Sequence, residues 1–158
     1  MSELRNLHHV KAVFDTSTTD SAGVSNKTIT THGLGVYLPK NAVITRAFYD
    51  VTTTFADGVA DAATIALNAL SAGDLVVAIA IADVSAVWTA GIHSTLAGSP
   101  ALGSDYQTAD ACTAIIYGAR IAASMIKETS TTEISATVGG VVLAAGKLNL
   151  FIEYFISS

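Results

Sequence analysis

Cysteine is almost missing from this chain: Cys112 is the only one in 158 residues. An internal disulfide is therefore excluded, as is a zinc site of the ordinary cysteine-based kind, and a lone free cysteine reads as a small buried apolar residue. Charge is scarce too. Asp, Glu, Lys and Arg make up 13% of the residues, while 51% are apolar, many of them alanine. The charged share is about half the roughly 25% of an average soluble protein, and neutral Thr and Ser take its place. A surface so poor in charge is better covered than bare, so the composition predicts a chain that assembles with copies of itself or with a partner. The alternative is a Thr-rich monomeric β-protein. Eight Lys and Arg stand against thirteen Asp and Glu, a net charge of −5, and the cations are scattered singly. No basic stripe is present to neutralise phosphates, which argues against nucleic acid as a partner. Long hydrophobic runs are also lacking, although the mean hydropathy is +0.50. Leu75–Ala82 is closed off by Asp74 and Asp83, Val141–Ala145 lies among glycines, and neither approaches the ~20 residues of a membrane helix. The opening MSELRNLHHVK has no apolar signal core, so the reading is synthesis in a cytoplasm with no membrane attachment.

What the chain does contain is alternation. In Gly35–Phe55, GVYLPKNAVITRAFYDVTTTF, a short apolar run is broken at Pro39–Asn41, and apolar and polar residues then alternate from Val43 onward. This is strand, turn and long strand. Val43, Ala47, Tyr49, Val51 and Phe55 form a core face; Ile44, Arg46, Phe48, Asp50, Thr52 and Thr54 form a mixed one. Upstream, His8–Phe14 is a candidate strand followed by the polar stretch Asp15–Lys27, which divides the chain into an arm and linker (1–26) and one domain (27–158). The arm strand could pair with a neighbouring subunit as readily as with its own sheet. Thr28–Thr31 reads as a short strand and His32–Gly35 as a glycine-rich turn. Thr64–Leu70 alternates; Leu75–Val84 is ambiguous between strand and helix, with strand favoured; Ser85–Asp110 is a long irregular region of the kind used at interfaces. Segment 111–127 is the second ambiguity. A strand is favoured from about Arg120, forming a hairpin with Glu133–Val138. The closing KLNLFIEYFIS is the clearest strand, with Leu148, Leu150, Ile152 and Tyr154 on one side and Asn149, Phe151, Glu153 and Phe155 on the other. Aromatics on both faces suit a central strand of a sandwich or one covered by a neighbour. The fold class expected is all-β, a β-sandwich.

Candidate chemistry is thin. His8 and His9 are adjacent and point to opposite faces of a strand, while His32 and His93 stand alone near glycines, so no metal site is assembled. No G-x-S-x-G marks a nucleophile. Asp57 and Asp61 suit turn geometry better than a carboxylate pair for sugar hydrolysis, and Asp105 and Asp110 lack a calcium-loop pattern around them. Gly33-x-Gly35 precedes a strand where a phosphate cradle would require a helix. The reading is no catalytic residue, no metal and no cofactor. Trp88, near His93 and Leu96, is equally suited to an interface anchor and to a core plug. Phe48, Phe151 and Phe155 could form a second apolar layer, either inside a sandwich or between subunits.

Four stretches carry a resemblance: GVYLPKNAVITRAFYDVTTTF, TIALNALSAGDLVVAIAIAD, WTAGIHSTLAGSP and EISATVGGVVLAAGKLNLFIEYFIS. Together, over about residues 33–158, they resemble the small Ala-, Thr- and Gly-rich virion proteins of tailed bacteriophages. The resemblance implies a jelly-roll-like sandwich in a symmetric oligomer, with a trimer favoured. It also implies a capsid decoration (cement) role on the virion surface, with the major capsid protein as partner. It transfers no functional residue. Kept beside it is a tail, fibre or baseplate module recognising a host glycan, for which Trp88, Tyr106 and Asp105 offer a sparse version of the required loop-tip chemistry. An enzyme would need a convergent polar cluster, and the sequence presents none.

Overall fold

The alternating stretches become strands, and the strands pack as two antiparallel sheets. The computed structural model describes residues 7–59, 62–83, 86–95 and 126–157. Among them are β1 (His8–Asp15), β2 (Thr31–Leu38), β3 (Ala42–Asp57), β4 (Thr64–Asn68), β5 (Val76–Ala80), β6 (Gly91–Ser94), β7 (Ile126–Lys127), β8 (Thr132–Gly139) and β9 (Leu143–Ile156). One sheet runs β1-β9-β3-β6, with β7 also paired to β3, and the other runs β2-β8-β4-β5. Among the described residues, with the two-residue β7 set aside, this makes two four-stranded antiparallel sheets packed as a β-sandwich. No helix among the described residues is long and apolar enough to cross a membrane.

The last strand organises the first sheet. It pairs with β1 from His8↔Tyr154 to Asp15↔Lys147 and with β3 from Ala42↔Ile156 to Asp57↔Leu143. Its period-two pattern turns Leu148, Leu150 and Ile152 inward, where they meet Ile65, Leu67, Ile134 and Val138 of the second sheet in one core. The N-terminal strand, open in sequence to either partner, pairs with its own chain, and Ala12 and Phe14 join that core. The segment 75–84 contains strand β5, as its Val and Ile content favours.

Three local expectations are corrected. Simple alternation puts Ile44 on the mixed face with Arg46, yet Ile44 is fully buried. Ile44 pairs with Tyr154 and Arg46 with the adjacent Glu153, so Thr45 is an extra residue, and this bulge moves the pattern by one position. Next, His32–Gly35 is not a turn but part of β2, with a register shift between Gly33 and Tyr37. Gly33 makes room for a carboxylate, since a Cβ there would overlap the Glu133 side chain and the Ser21 hydroxyl, while Gly35 sits at a φ of 70° and its N–H donates to Glu133 Oε1 at 2.8 Å. Finally, of the hairpin expected between 120–127 and 133–138, residues 120–125 lie outside the described residues, and the described end, 126–127, does not pair with 133–138. β7 pairs with β3 through Val43↔Lys127 and Ile44↔Ile126, while β8 lies between β2 and β4 in the other sheet. Glu128 makes the crossing, its N–H donating to the Ala42 carbonyl at 2.8 Å and its own carbonyl accepting from Asn41 at 2.9 Å. Ile126 and Ile134 thereby enter the core from opposite layers, which a hairpin within one sheet would forbid.

Candidate functional site

Trp88 lies inside the sandwich. It is 1% exposed, its Nε1–H donates to the Ile79 carbonyl at 3.1 Å, and its ring meets Tyr49 at 5.4 Å and the edge of Phe55 at 6.0 Å. The Tyr49 hydroxyl in turn donates to the Val87 carbonyl at 3.1 Å. Of its two sequence readings, core plug is the one seen. His93 on β6 stacks on Tyr49 at 5.2 Å and its Nε2 lies 2.9 Å from the Thr89 carbonyl, so that nitrogen carries the hydrogen. Leu96, Cys112, Asp61, Asp105, Tyr106 and Asp110 lie outside the described residues.

The polar residues weighed for chemistry are occupied with structure. Asp57 accepts the Val59 and Ala63 N–H groups at 2.9 and 2.7 Å, the turn geometry its position suggests. His32 is fully buried, with Nδ1 3.0 Å from Asp20 Oδ2 and Nε2 2.9 Å from the Thr28 carbonyl. Asp20 also caps its own loop, and the Val24 N–H, followed by His32, holds its carboxyl below the usual carboxylate range. Glu128 is the exception. It is fully buried, neither carboxylate oxygen has a hydrogen-bond partner, and desolvation pushes its carboxyl upward. The Asp74 carboxylate adds to the rise and Thr132 opposes it, although the Thr132 hydroxyl donates to the Ser130 carbonyl at 3.2 Å. Among the described residues no three His, Cys, Asp or Glu side chains converge as metal ligands.

The phenylalanines do converge, on the outer face of the first sheet. Register builds that face in rows across the strands. One row holds Lys11, Phe151, Phe48 and Ser94; a flanking row holds His9, Glu153 and Arg46; the other holds Val13, Asn149, Asp50 and Ile92. Phe155 lies further along β9, opposite Val43, which pairs in turn with Lys127. Phe48 and Phe151 stack at 4.9 Å and 17°, with Lys11 Nζ 5.8 Å from the Phe151 centroid and Arg46 5.4 Å from that of Phe48. Beside them is a groove of about 200 Å³ lined by His9, Arg46, Phe48, Phe151 and Glu153. Phe48, Phe151 and Phe155 thus share one surface, and Trp88 and His93 are elsewhere. Lys11 was missed in the sequence. Alternation along β1 gives its outward direction, but only the pairing of β1 with β9 puts it beside Phe151.

No protein-family model matches the chain, and no curated protein matches its sequence. Solved structures do. A chain of the acidic stable capsid of Helicobacter pylori bacteriophage KHP30 superposes with a TM-score of 0.56 at 12% identity, covering 98% of this chain and 92% of that one. A chain of the cyanophage Pam1 capsid gives 0.56 at 12% identity, covering 99% and 89%, and one of the Ralstonia phage GP4 capsid gives 0.52 at 15%, covering 100% and 90%. The fold is one found in bacteriophage capsids. At such low identity the likeness lies in the course of the backbone, and it extends over the whole sandwich.

Proposed function

We propose that this chain is a virion structural protein of a tailed bacteriophage: a capsid decoration protein that binds the outer head shell as a homotrimer and stabilises it without catalysis. The observation that carries the reading is coverage in both directions. This chain is spanned almost completely, and so are about nine-tenths of each capsid chain it matches. Those chains are therefore about its own size, and the likeness is not to one lobe of a larger protein. The low charge fits a surface that is covered in the assembled state. Stabilisation would come from apolar burial at subunit and shell contacts, at about 25 cal/mol per Å², multiplied by the number of copies held on one lattice.

Two measurements test it. Light scattering across a dilution series is expected to give a stable trimer, and the purified protein is expected to co-sediment with shells of the parent phage assembled without it. A monomer at every concentration that stays in the supernatant would overturn the reading. Binding to host cells in place of shells would favour a tail or baseplate module that recognises a surface glycan.

A further inference from the structure

The two outer faces of the sandwich have different chemistry. On the second sheet the Thr31 and Thr137 hydroxyls lie 2.8 Å apart, and the Asn68 amide donates to Ser135 and Thr137 at 3.2 and 2.9 Å. Around these residues that face is small and satisfied by its own hydrogen bonds, and further along the same strands it carries the exposed Tyr37 opposite Glu133, a carboxylate that forms no ion pair among the described residues. The first sheet presents the stacked Phe48 and Phe151, Phe155, the exposed Val13 and Ile92, and four cations: Lys11, Arg46, Lys127 and Lys147. Only Lys147 has an acidic partner, Asp15 at 2.8 Å. Among the described residues Lys11, Arg46 and Lys127 form no ion pair.

Several carboxylates of the chain, one of them on this face, are already engaged by its own hydrogen-bond donors. Glu153 sits in the row between His9 and Arg46, yet its Oε1 accepts the Thr45 hydroxyl at 2.8 Å. Glu133 accepts Gly35 N–H, Asp74 accepts the N–H groups of Ala69, Leu70 and Ser71, and Asp20 is held by His32 and its own loop. The same face of a second copy would set these cations against their own counterparts, like charge against like, which disfavours a face-to-face pair. Phosphate is also a poor match, because Asp15, Asp50 and Glu153 share the face.

We propose that the outer face of β1, β9 and β3 is the docking surface, and that it takes a protein surface bearing an apolar strip flanked by carboxylates. The inference rests on the decoration reading and names the part of the molecule that meets the shell. The Phe48–Phe151 stack is the apolar anchor. Lys11 and Arg46, held over the ring faces, are already positioned for acidic groups on either side, which lowers the ordering cost of binding. The groove between His9 and Glu153 admits an inserted side chain. At ~4.8 Å between strands and ~3.3 Å per residue, the three strands offer about 400 Å² per copy. A standard interface needs about 800 Å² per partner, so one copy falls short and three on a threefold axis suffice.

The test uses the full chain and shells of the parent phage assembled without it. Two double variants, Lys11→Glu with Arg46→Glu and Phe48→Thr with Phe151→Thr, are compared with wild type and with Thr31→Glu on the opposite face. Circular dichroism melts establish that each is folded. Expected is a loss of shell affinity of about 100-fold or more in both face variants, wild-type binding that weakens with added salt, and no change for Thr31→Glu. If wild type binds and the face variants bind equally well, this face is not the docking surface, while the decoration reading stands. If wild type fails to bind shells, that reading falls and this inference with it. Variants that bind shells normally but dissociate in light scattering would make the face a contact between copies, and a face-dependent affinity for single-stranded DNA would make it a nucleic-acid surface; either result overturns the proposal.

Discussion

Replacing Trp88 with alanine removes the largest side chain of the core, and the structure sets the scale of the loss. The indole is 1% exposed and packs against Tyr49 and Phe55. Truncating a buried aromatic of this kind costs about 3–5 kcal/mol, and the Ile79 carbonyl loses its donor as well. For a chain of 158 residues, each kcal/mol moves the melting temperature by about 2–4 °C, which gives a drop of about 6–20 °C. Trp88→Phe keeps most of the ring contacts but no N–H, and should cost about 1–2 kcal/mol. Urea unfolding followed by far-ultraviolet circular dichroism reads both, since the variants lack the fluorophore. In wild type that fluorophore is the only tryptophan, so its emission should be blue-shifted and resistant to iodide quenching. The core-plug assignment is refuted if Trp88→Ala unfolds within about 1 kcal/mol of wild type, or if wild-type emission is quenched as freely as that of indole in water. Either result would return Trp88 to the role of interface anchor.

Burial raises the Glu128 carboxyl above its ordinary value. A raised acid contributes stability that is present below its unfolded value and lost as pH rises through the folded one. Glu128→Gln should therefore gain stability over wild type at pH 7.5 and little at pH 4, as read from urea midpoints at the two pH values. Asp15 is the opposite case. Its hydrogen bond from Lys147, then that from Ser17, lowers it to about 2, so its contribution is present above 3.8 and lost as pH falls through about 2. Because Lys147 is 43% exposed, Lys147→Met should cost no more than about 1 kcal/mol, and less in high salt. Asp20→Asn removes the charge facing His32 Nδ1; hydrogen exchange should quicken in 16–30 first, and protection unchanged there would refute a pinning role for the pair.

The strands most legible in the sequence were those whose neighbours did not matter to the argument. KLNLFIEYFIS alternates without interruption, so the direction of Leu148, Leu150 and Ile152 follows from the pattern alone, while its two aromatic faces suited either a central strand or one covered by a neighbour, and the sheet order decides for the former. Ile44 was misassigned because a bulge is a property of two strands: nothing in V-I-T-R says that Thr45 will be skipped in the register with β9. Glycines at 33 and 35 read as a turn because the reason for Gly33 being small, the Glu133 side chain, comes from the distant strand β8, and the left-handed backbone at Gly35 accompanies a register shift between the same two strands. The same limit applies to the candidate surface. Phe48, Phe151 and Phe155 could be grouped as a second apolar layer, inside a sandwich or between subunits, but their outward direction and their meeting with Lys11 depend on which strands are neighbours, and local periodicity carries no such information.

The position of β9 between β1 and β3 also dictates when the molecule can fold. Thr16 and Gly146, hydrogen-bonded to each other, are 130 positions apart in the chain, and β1 and β3 both emerge from the ribosome long before the strand that joins them. Until then each presents unpaired backbone and an uncovered apolar side. Contacts of such long range close slowly, because the entropy of the intervening loop is lost before any pairing compensates it. Synthesis at high level would therefore expose many copies to edge-to-edge association at once. A chain interrupted before Leu143 would lack the centre of its first sheet and could not complete the core, so quality control of this fold is exercised at its C-terminal strand.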